Sequence, residues 1–127
     1  MKRILLVDDD ADLLSSMAEA FRPRFDVVEA TGYSRALQFL KLGGAFDAVV
    51  ADLKLRGDRS GLDLLRETRL LAPGVLRILI SGNRPGPEID DALRAGLVEG
   101  FVRKPVDVAA LEAELARASS SRAAPPG

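Results

Sequence analysis

Asp8-Asp9-Asp10, Asp52, Ser81 and Lys104 are the side chains of this sequence best suited to act as ligand, nucleophile or charge partner. They are spaced 43 (Asp9 to Asp52), 29 (Asp52 to Ser81) and 23 (Ser81 to Lys104) residues apart. Taken singly each is ordinary. An Asp after an apolar run is more often a turn former or a helix cap than a ligand, and Asp10 reads as such a cap. Taken together they are not ordinary, because three carboxylates gathered at one place repel unless they protonate or share a cation. Oxygen-only ligands favour Mg²⁺ over zinc, and Mg²⁺ takes one or two carboxylates beside waters and phosphate oxygens. A lysine opposite the carboxylates and a hydroxyl beside them would hold the remaining oxygens of a phosphoryl group. Such a set can make and break an aspartyl phosphate. With 0 His and 0 Cys, the chain has no disulfide, thiol nucleophile, Cys-ligated metal, Ser-His-Asp triad or phosphohistidine of its own.

Positioning that set requires five short elements ending at one edge. Runs rich in Val, Ile and Leu occur at Ile4 to Val7, Val27 to Val28, Ala48 to Ala51, Leu76 to Ile80 and Gly100 to Val102, each too short for a helix. Between them the apolar period becomes helical. Leu13, Leu14, Met17 and Phe21 mark one helix, Tyr33, Ala36, Leu37 and Leu40 a second, and Leu62 and Leu65 a third. Ile89, Leu93 and Leu97 mark a fourth, and Val108, Leu111 and Leu115 a fifth. Pro23, Gly43-Gly44, Pro73-Gly74 and Gly96 punctuate the helical patterns, and Ser60 is placed to cap the third. Five strand–helix units in alternation predict a parallel sheet covered on both faces, with its functional crevice at the carboxyl ends of the strands.

The chain has 127 residues, 47% hydrophobic and 29% charged, which suits one globular domain over residues 1–118. Residues 119–127, rich in Ser, Ala and Pro, read as a flexible tail or linker. Eighteen basic against 19 acidic residues give a net charge of −1, too balanced for bulk attraction to nucleic acid or to an anionic membrane. The apolar run after Met1 stops at three aspartates, unlike a signal peptide, and none approaches the roughly 18 residues that span a bilayer. A cytoplasmic protein is expected.

Ile4-Leu5-Leu6-Val7-Asp8-Asp9-Asp10, Ala51-Asp52-Leu53-Lys54-Leu55, Ile80-Ser81-Gly82 and Phe101-Val102-Arg103-Lys104-Pro105 together resemble the receiver domain of two-component response regulators, over roughly residues 2 to 118. The resemblance implies an α/β, flavodoxin-like (βα)5 fold: a doubly wound five-stranded parallel sheet in strand order 2-1-3-4-5 with helices on both faces. It implies Asp52 as phosphoacceptor and Mg²⁺ as cofactor, held by Asp9 and Asp52, by Asp8 mainly through water, and by the backbone carbonyl of Lys54. Ser81 would be the switch hydroxyl, Phe101 the switch aromatic and Lys104 the phosphoryl-binding lysine, with a cis peptide at Lys104-Pro105. A sensor histidine kinase or phosphotransfer protein would be the donor. A downstream effector or output domain would meet the face of the fourth helix, fifth strand and fifth helix, and a homodimer is a further arrangement such domains allow. No direct nucleic-acid contact is expected, because the basic residues are dispersed and no helix-turn-helix follows residue 118.

The chain also departs from the family pattern. Arg56 stands where Pro is usual, in a slightly long segment from Arg56 to Gly61, and Gly82 replaces a common Ala. Gly100 beside Phe101 is expected to loosen the switch. Lys54 and Asn83 flank the site where family members tune phosphoryl lifetime. A degenerate receiver that binds partners without phosphorylation is the alternative, disfavoured by the presence of Asp9, Asp52, Ser81 and Lys104 together. A flavin carrier on the same kind of sheet would want a Ser/Thr/Gly-rich loop where Asp8-Asp9-Asp10 stands. An aspartate-based phosphatase would want an Asp at position 54, which is Lys.

Overall fold

The computed structural model describes residues 1–123. The strands are β1 (Lys2–Val7), β2 (Phe25–Ala30), β3 (Ala48–Asp52), β4 (Leu76–Ser81) and β5 (Gly100–Arg103). They alternate with α1 (Ala11–Phe21), α2 (Tyr33–Lys41), α3 (Gly61–Leu71), α4 (Pro87–Arg94) and α5 (Val108–Ala123). All neighbouring strands are parallel and the order is β2-β1-β3-β4-β5, as expected.

Successive strand side chains point to opposite faces, so each strand feeds two cores. Ile4, Leu6, Val50, Ile78 and Ile80 pack with Phe21 of α1 and Leu111 of α5 on one face. Leu5, Val7, Val49 and Leu79 pack with Leu65 of α3 and Ile89 of α4 on the other. This two-sided burial explains why β1, β3 and β4 read as unbroken apolar runs. β2 extends beyond Val27–Val28 because all six of its residues pair with β1; as an edge strand it leaves Asp26 exposed to water, which interrupts its apolar pattern.

Capping fixes where the helices begin. Asp10 accepts from the N–H groups of Asp12 and Leu13 at 3.2 and 3.1 Å, which starts α1 immediately after the acidic run. Ser60 and Asp63 form a reciprocal capping box at α3. Gly96, at φ +74°, ends α4, and the N–H groups of Leu97 and Val98 turn back to the Ala92 carbonyl. Leu97, expected on the fourth helix, therefore follows it while remaining buried.

The expected tail is corrected in part. Residues 119–123 continue α5, while residues 124–127 lie outside those described. The reason is tertiary: the Arg122 guanidinium donates to the carbonyls of Gly74 and Val75 at 2.7 and 3.0 Å and pairs with Glu99 at 2.6 Å. Those bonds fasten a serine-rich segment of weak helix propensity onto the body of the domain.

Candidate functional site

Asp8, Asp9 and Asp52 come together at the carboxyl ends of β1 and β3, two adjacent central strands. Each offers a carboxylate oxygen, and those oxygens all lie within 4.8 Å of one another. Asp8 and Asp52 are buried, Asp9 partly so. The Lys104 ammonium bridges the two buried carboxylates, 3.0 Å from Asp8 Oδ2 and 2.9 Å from Asp52 Oδ2. The other Asp8 oxygen accepts from the Asp10 N–H at 2.9 Å, and the other Asp52 oxygen from the Lys54 N–H at 3.4 Å. The turns that carry these N–H groups therefore orient the carboxylates from below.

Burial raises the Asp52 carboxyl above its ordinary range; the hydrogen bond and charge of Lys104 oppose the rise, and the Asp8 charge adds to it. For Lys104, burial works against the ammonium, but hydrogen bonds to Asp52 and Asp8 and their charges outweigh it and hold the group above its ordinary value. One ammonium thus serves two of three carboxylates that lie within reach of one another. An all-oxygen cluster with surplus negative charge fits a small hard divalent cation.

Ser81 ends β4, one strand beyond Asp52, and its hydroxyl accepts from the Asn83 N–H at 3.1 Å. The Lys104 N–H donates to the Ser81 carbonyl at 2.8 Å, tying the last two predicted residues to each other through the backbone. The Lys104-Pro105 peptide is cis, as the resemblance implied. Phe101 stands apart from the charged set. It lies on β5 opposite Leu79, half-buried against the core beneath α2, α3 and α4.

The loop from β3 to α3 is held more firmly than its sequence suggests. The Gly61 N–H donates to the Leu53 carbonyl at 2.9 Å. A Cβ at Gly61 would fall 2.0 Å from the Asp52 carbonyl oxygen, so only glycine lets α3 begin against the acceptor strand. Arg59 lies over the Tyr33 ring, 5.7 Å from its centroid. Arg56 reaches back to Asp9, its Nε 3.5 Å from Oδ2, although its side chain is 86% exposed. The sequence marks Arg56 only as a departure in a loop; nothing in its spacing places it beside Asp9.

The sheet order, the acidic cluster at its carboxyl edge and the bridging lysine define the class of protein, and direct comparison agrees. A family model described as the response regulator receiver domain matches residues 4–116. The chain belongs to that family. It is 32% identical over 111 residues to a response regulator receiver protein of Anaeromyxobacter sp. (strain Fw109-5), covering 85% of this chain and 44% of that protein. A receiver domain protein (CheY-like) of Methanospirillum hungatei superposes with a TM-score of 0.80 at 27% identity, over 95% of this chain and 98% of that one. A response regulator protein from Burkholderia pseudomallei, solved with a phosphorylated aspartic acid, calcium ion and citrate, superposes with a TM-score of 0.81 at 26% identity. That likeness covers 97% of this chain and 72% of the other. The chain spans less than half the length of the first curated relatives it matches, between 22% and 44%. No helix among the described residues is long and apolar enough to cross a membrane.

Proposed function

We propose that this domain is a phosphorylation-activated switch that accepts a phosphoryl group onto Asp52 from the phosphohistidine of a histidine kinase or phosphotransfer protein. The observation that carries the reading is the Lys104 ammonium shared between Asp8 and Asp52 within a three-carboxylate cluster. Asp8, Asp9 and Asp52, with the Lys54 carbonyl, are the residues that would hold Mg²⁺. When bound, Mg²⁺ supplies charge neutralisation for the carboxylates and for the equatorial oxygens of the transferring group.

In the transfer, an Asp52 carboxylate oxygen forms the new P–O bond as the P–N bond of the donor breaks, and the donor imidazole leaves with the electron pair. Lys104 already touches the Asp52 oxygen and is placed to follow the negative charge onto the phosphoryl oxygens. Ser81, at the end of the neighbouring strand, offers a hydroxyl to another of those oxygens once it gives up the Asn83 N–H. Its movement vacates space beside β4, which Phe101 turns to fill, remodelling the α4–β5–α5 face toward an effector, an output domain or a second copy. The phosphorylated aspartate and the cation in the Burkholderia pseudomallei protein support both the acceptor and the metal assignment. A cytoplasmic setting suits a domain that meets a kinase's phosphohistidine.

Acetyl phosphate with Mg²⁺ tests the assignment. Intact-mass spectra should show one added phosphoryl group on the parent and none on Asp52→Asn, which keeps the shape but cannot form an acyl phosphate. Equal labelling of both proteins would remove Asp52 as the acceptor, and an unlabelled parent would favour the phosphorylation-independent alternative.

A further inference from the structure

β5 is an edge strand of the sheet, and an edge presents backbone groups that another chain could pair with. Here α5 reaches over that edge. Glu114 Oε2 accepts from the Phe101 N–H at 3.0 Å, and Arg117 Nη2 donates to the Glu99 carbonyl at 2.6 Å. The two side chains are paired with each other at 2.5 Å. One acceptor and one donor from adjacent turns of α5 thus occupy the positions a sixth strand would fill.

Gly100, between the two bonded backbone groups, makes the approach possible. A Cβ there would lie 2.8 Å from Glu114 Cγ and 2.8 Å from Ile78 Cδ1. Gly100, which the sequence marks as a point where the switch could loosen, is also where a missing side chain lets α5 grip the strand. As a bare surface ion pair, Glu114 and Arg117 would contribute little. The backbone bonds and the close contact at Gly100 are what distinguish them from such a pair.

We propose that Glu114 is a positioning residue for Phe101: it ties the backbone of the switch strand to α5, so that a change at Phe101 reaches the helix. The proposal rests on the reading of Phe101 as switch aromatic and deepens it by naming the residue through which α5 is coupled.

Residue-resolved amide exchange on the whole chain tests it in two arms. In the resting protein, Glu114→Ala should speed exchange of the Phe101 amide roughly ten- to a hundredfold, the range for losing a hydrogen bond to a charged acceptor. The Val102 amide should hardly change. Glu114→Gln, which keeps an acceptor oxygen, should restore most of the protection at Phe101 and shows that the fold survives. Unchanged Phe101 exchange in Glu114→Ala would overturn the contact, whatever the phosphoryl chemistry does. In the second arm, a beryllofluoride mimic should alter exchange at Phe101 and along residues 111–117 of the parent. Glu114→Ala should keep the change at Phe101 and lose most of that in α5, with Glu114→Gln again restoring it. An α5 response equal to the parent's would overturn the coupling. A parent that does not respond at Phe101 would overturn the switch reading itself, and with it the role of Glu114 in it, while the resting-state result would stand.

Discussion

The two ends of the sheet use the same kinds of charged residue for opposite purposes. At the carboxyl end, the Lys104 ammonium is shared by Asp8 and Asp52, while Asp9 beside them meets the exposed Arg56. At the amino end, Arg77 is buried within β4 and its guanidinium meets the carbonyls of Leu97, Gly96 and Val75 at 2.8, 3.0 and 3.3 Å. Glu99 lies 3.2 Å from that guanidinium and also receives Arg122. Each guanidinium nitrogen of Arg77 finds an acceptor, so the charges fasten β4, the α4–β5 turn and the end of α5 into one unit. At the other end acceptors outnumber donors, and under the proposed function that surplus negative charge is what a divalent cation would balance. Burial alone does not mark a functional charge; the imbalance between charges and partners does.

Removing the lysine at one end and the arginine at the other is the sharpest way to break this contrast. Lys104→Ala should slow phosphorylation of Asp52 by roughly 10²–10³-fold, the usual cost of deleting one preorganised donor to a developing negative charge. Timed intact-mass spectra with acetyl phosphate would measure it, and a rate near the parent's would deny Lys104 any part in the transfer. Arg77→Met should leave that rate unchanged at temperatures where the protein is folded. It should instead cost about 3 kcal/mol of stability in urea unfolding, because buried carbonyls lose their donor and Glu99 loses one of its two arginines. A slowed transfer with unaltered stability would put Arg77 in the functional set and end the comparison.

The cation gives a smaller and more selective effect. Mg²⁺ at millimolar concentration should raise the melting temperature by a few degrees, since it binds the folded acidic cluster and not the unfolded chain. Asp9→Ala should lose most of that increment, while Arg77→Met, though less stable, should keep it. An undiminished Mg²⁺ response in Asp9→Ala would take Asp9 out of the ligand set.

The contrast also explains what was legible in the sequence. Asp8, Asp9, Asp52, Ser81 and Lys104 stand where an apolar run stops or soon after it. In a parallel sheet those points converge, so type and position together mark the carboxyl end. Arg77 interrupts nothing visible, because a single arginine in Leu76-Arg77-Ile78-Leu79-Ile80 leaves the strand pattern intact. Its partners are carbonyl groups, which no sequence displays. The helical course of residues 119–123 was hidden for the same reason: Arg122 reaches Gly74 and Val75, 48 and 47 residues away, and local composition argues against a helix there. Glu114 reads as one more exposed charge on α5 until Gly100 and Phe101 are placed beneath it. Patterns with a fixed period were readable; single long side chains bonding to distant backbone were not.

The smallest effect separates two carboxylates that flank the same loop, Asp52 before it and Asp63 after it. Asp63 takes the Ser60 N–H at 2.8 Å, and that bond, with the Ser60 hydroxyl and the charges of Arg66 and Arg59, holds its carboxyl below the ordinary carboxylate range despite partial burial. Its contribution to stability is therefore complete above the unfolded-state value, near pH 4, and fades as pH falls through the lower folded-state value. Asp52 is shifted the other way, mainly by burial, so the metal-free folded state takes up a proton there more readily than the unfolded chain does. Its ionisation costs stability as pH rises through that range, and protonation restores it as pH falls. The two slopes have opposite sign, that of Asp63 lying below the unfolded-state value and that of Asp52 above it. Asp63→Asn should cost about 1 kcal/mol at neutral pH, the usual range for a disturbed helix cap, and should remove the loss of stability attributable to Asp63 on acidification. Urea unfolding in EDTA from pH 7 downward would then show Asp63→Asn drawing level with the parent as the pH falls, and Asp52→Asn losing the opposing slope. A constant gap between Asp63→Asn and the parent across that range would mean that the cap stabilises α3 through its geometry alone and not through the charge on Asp63.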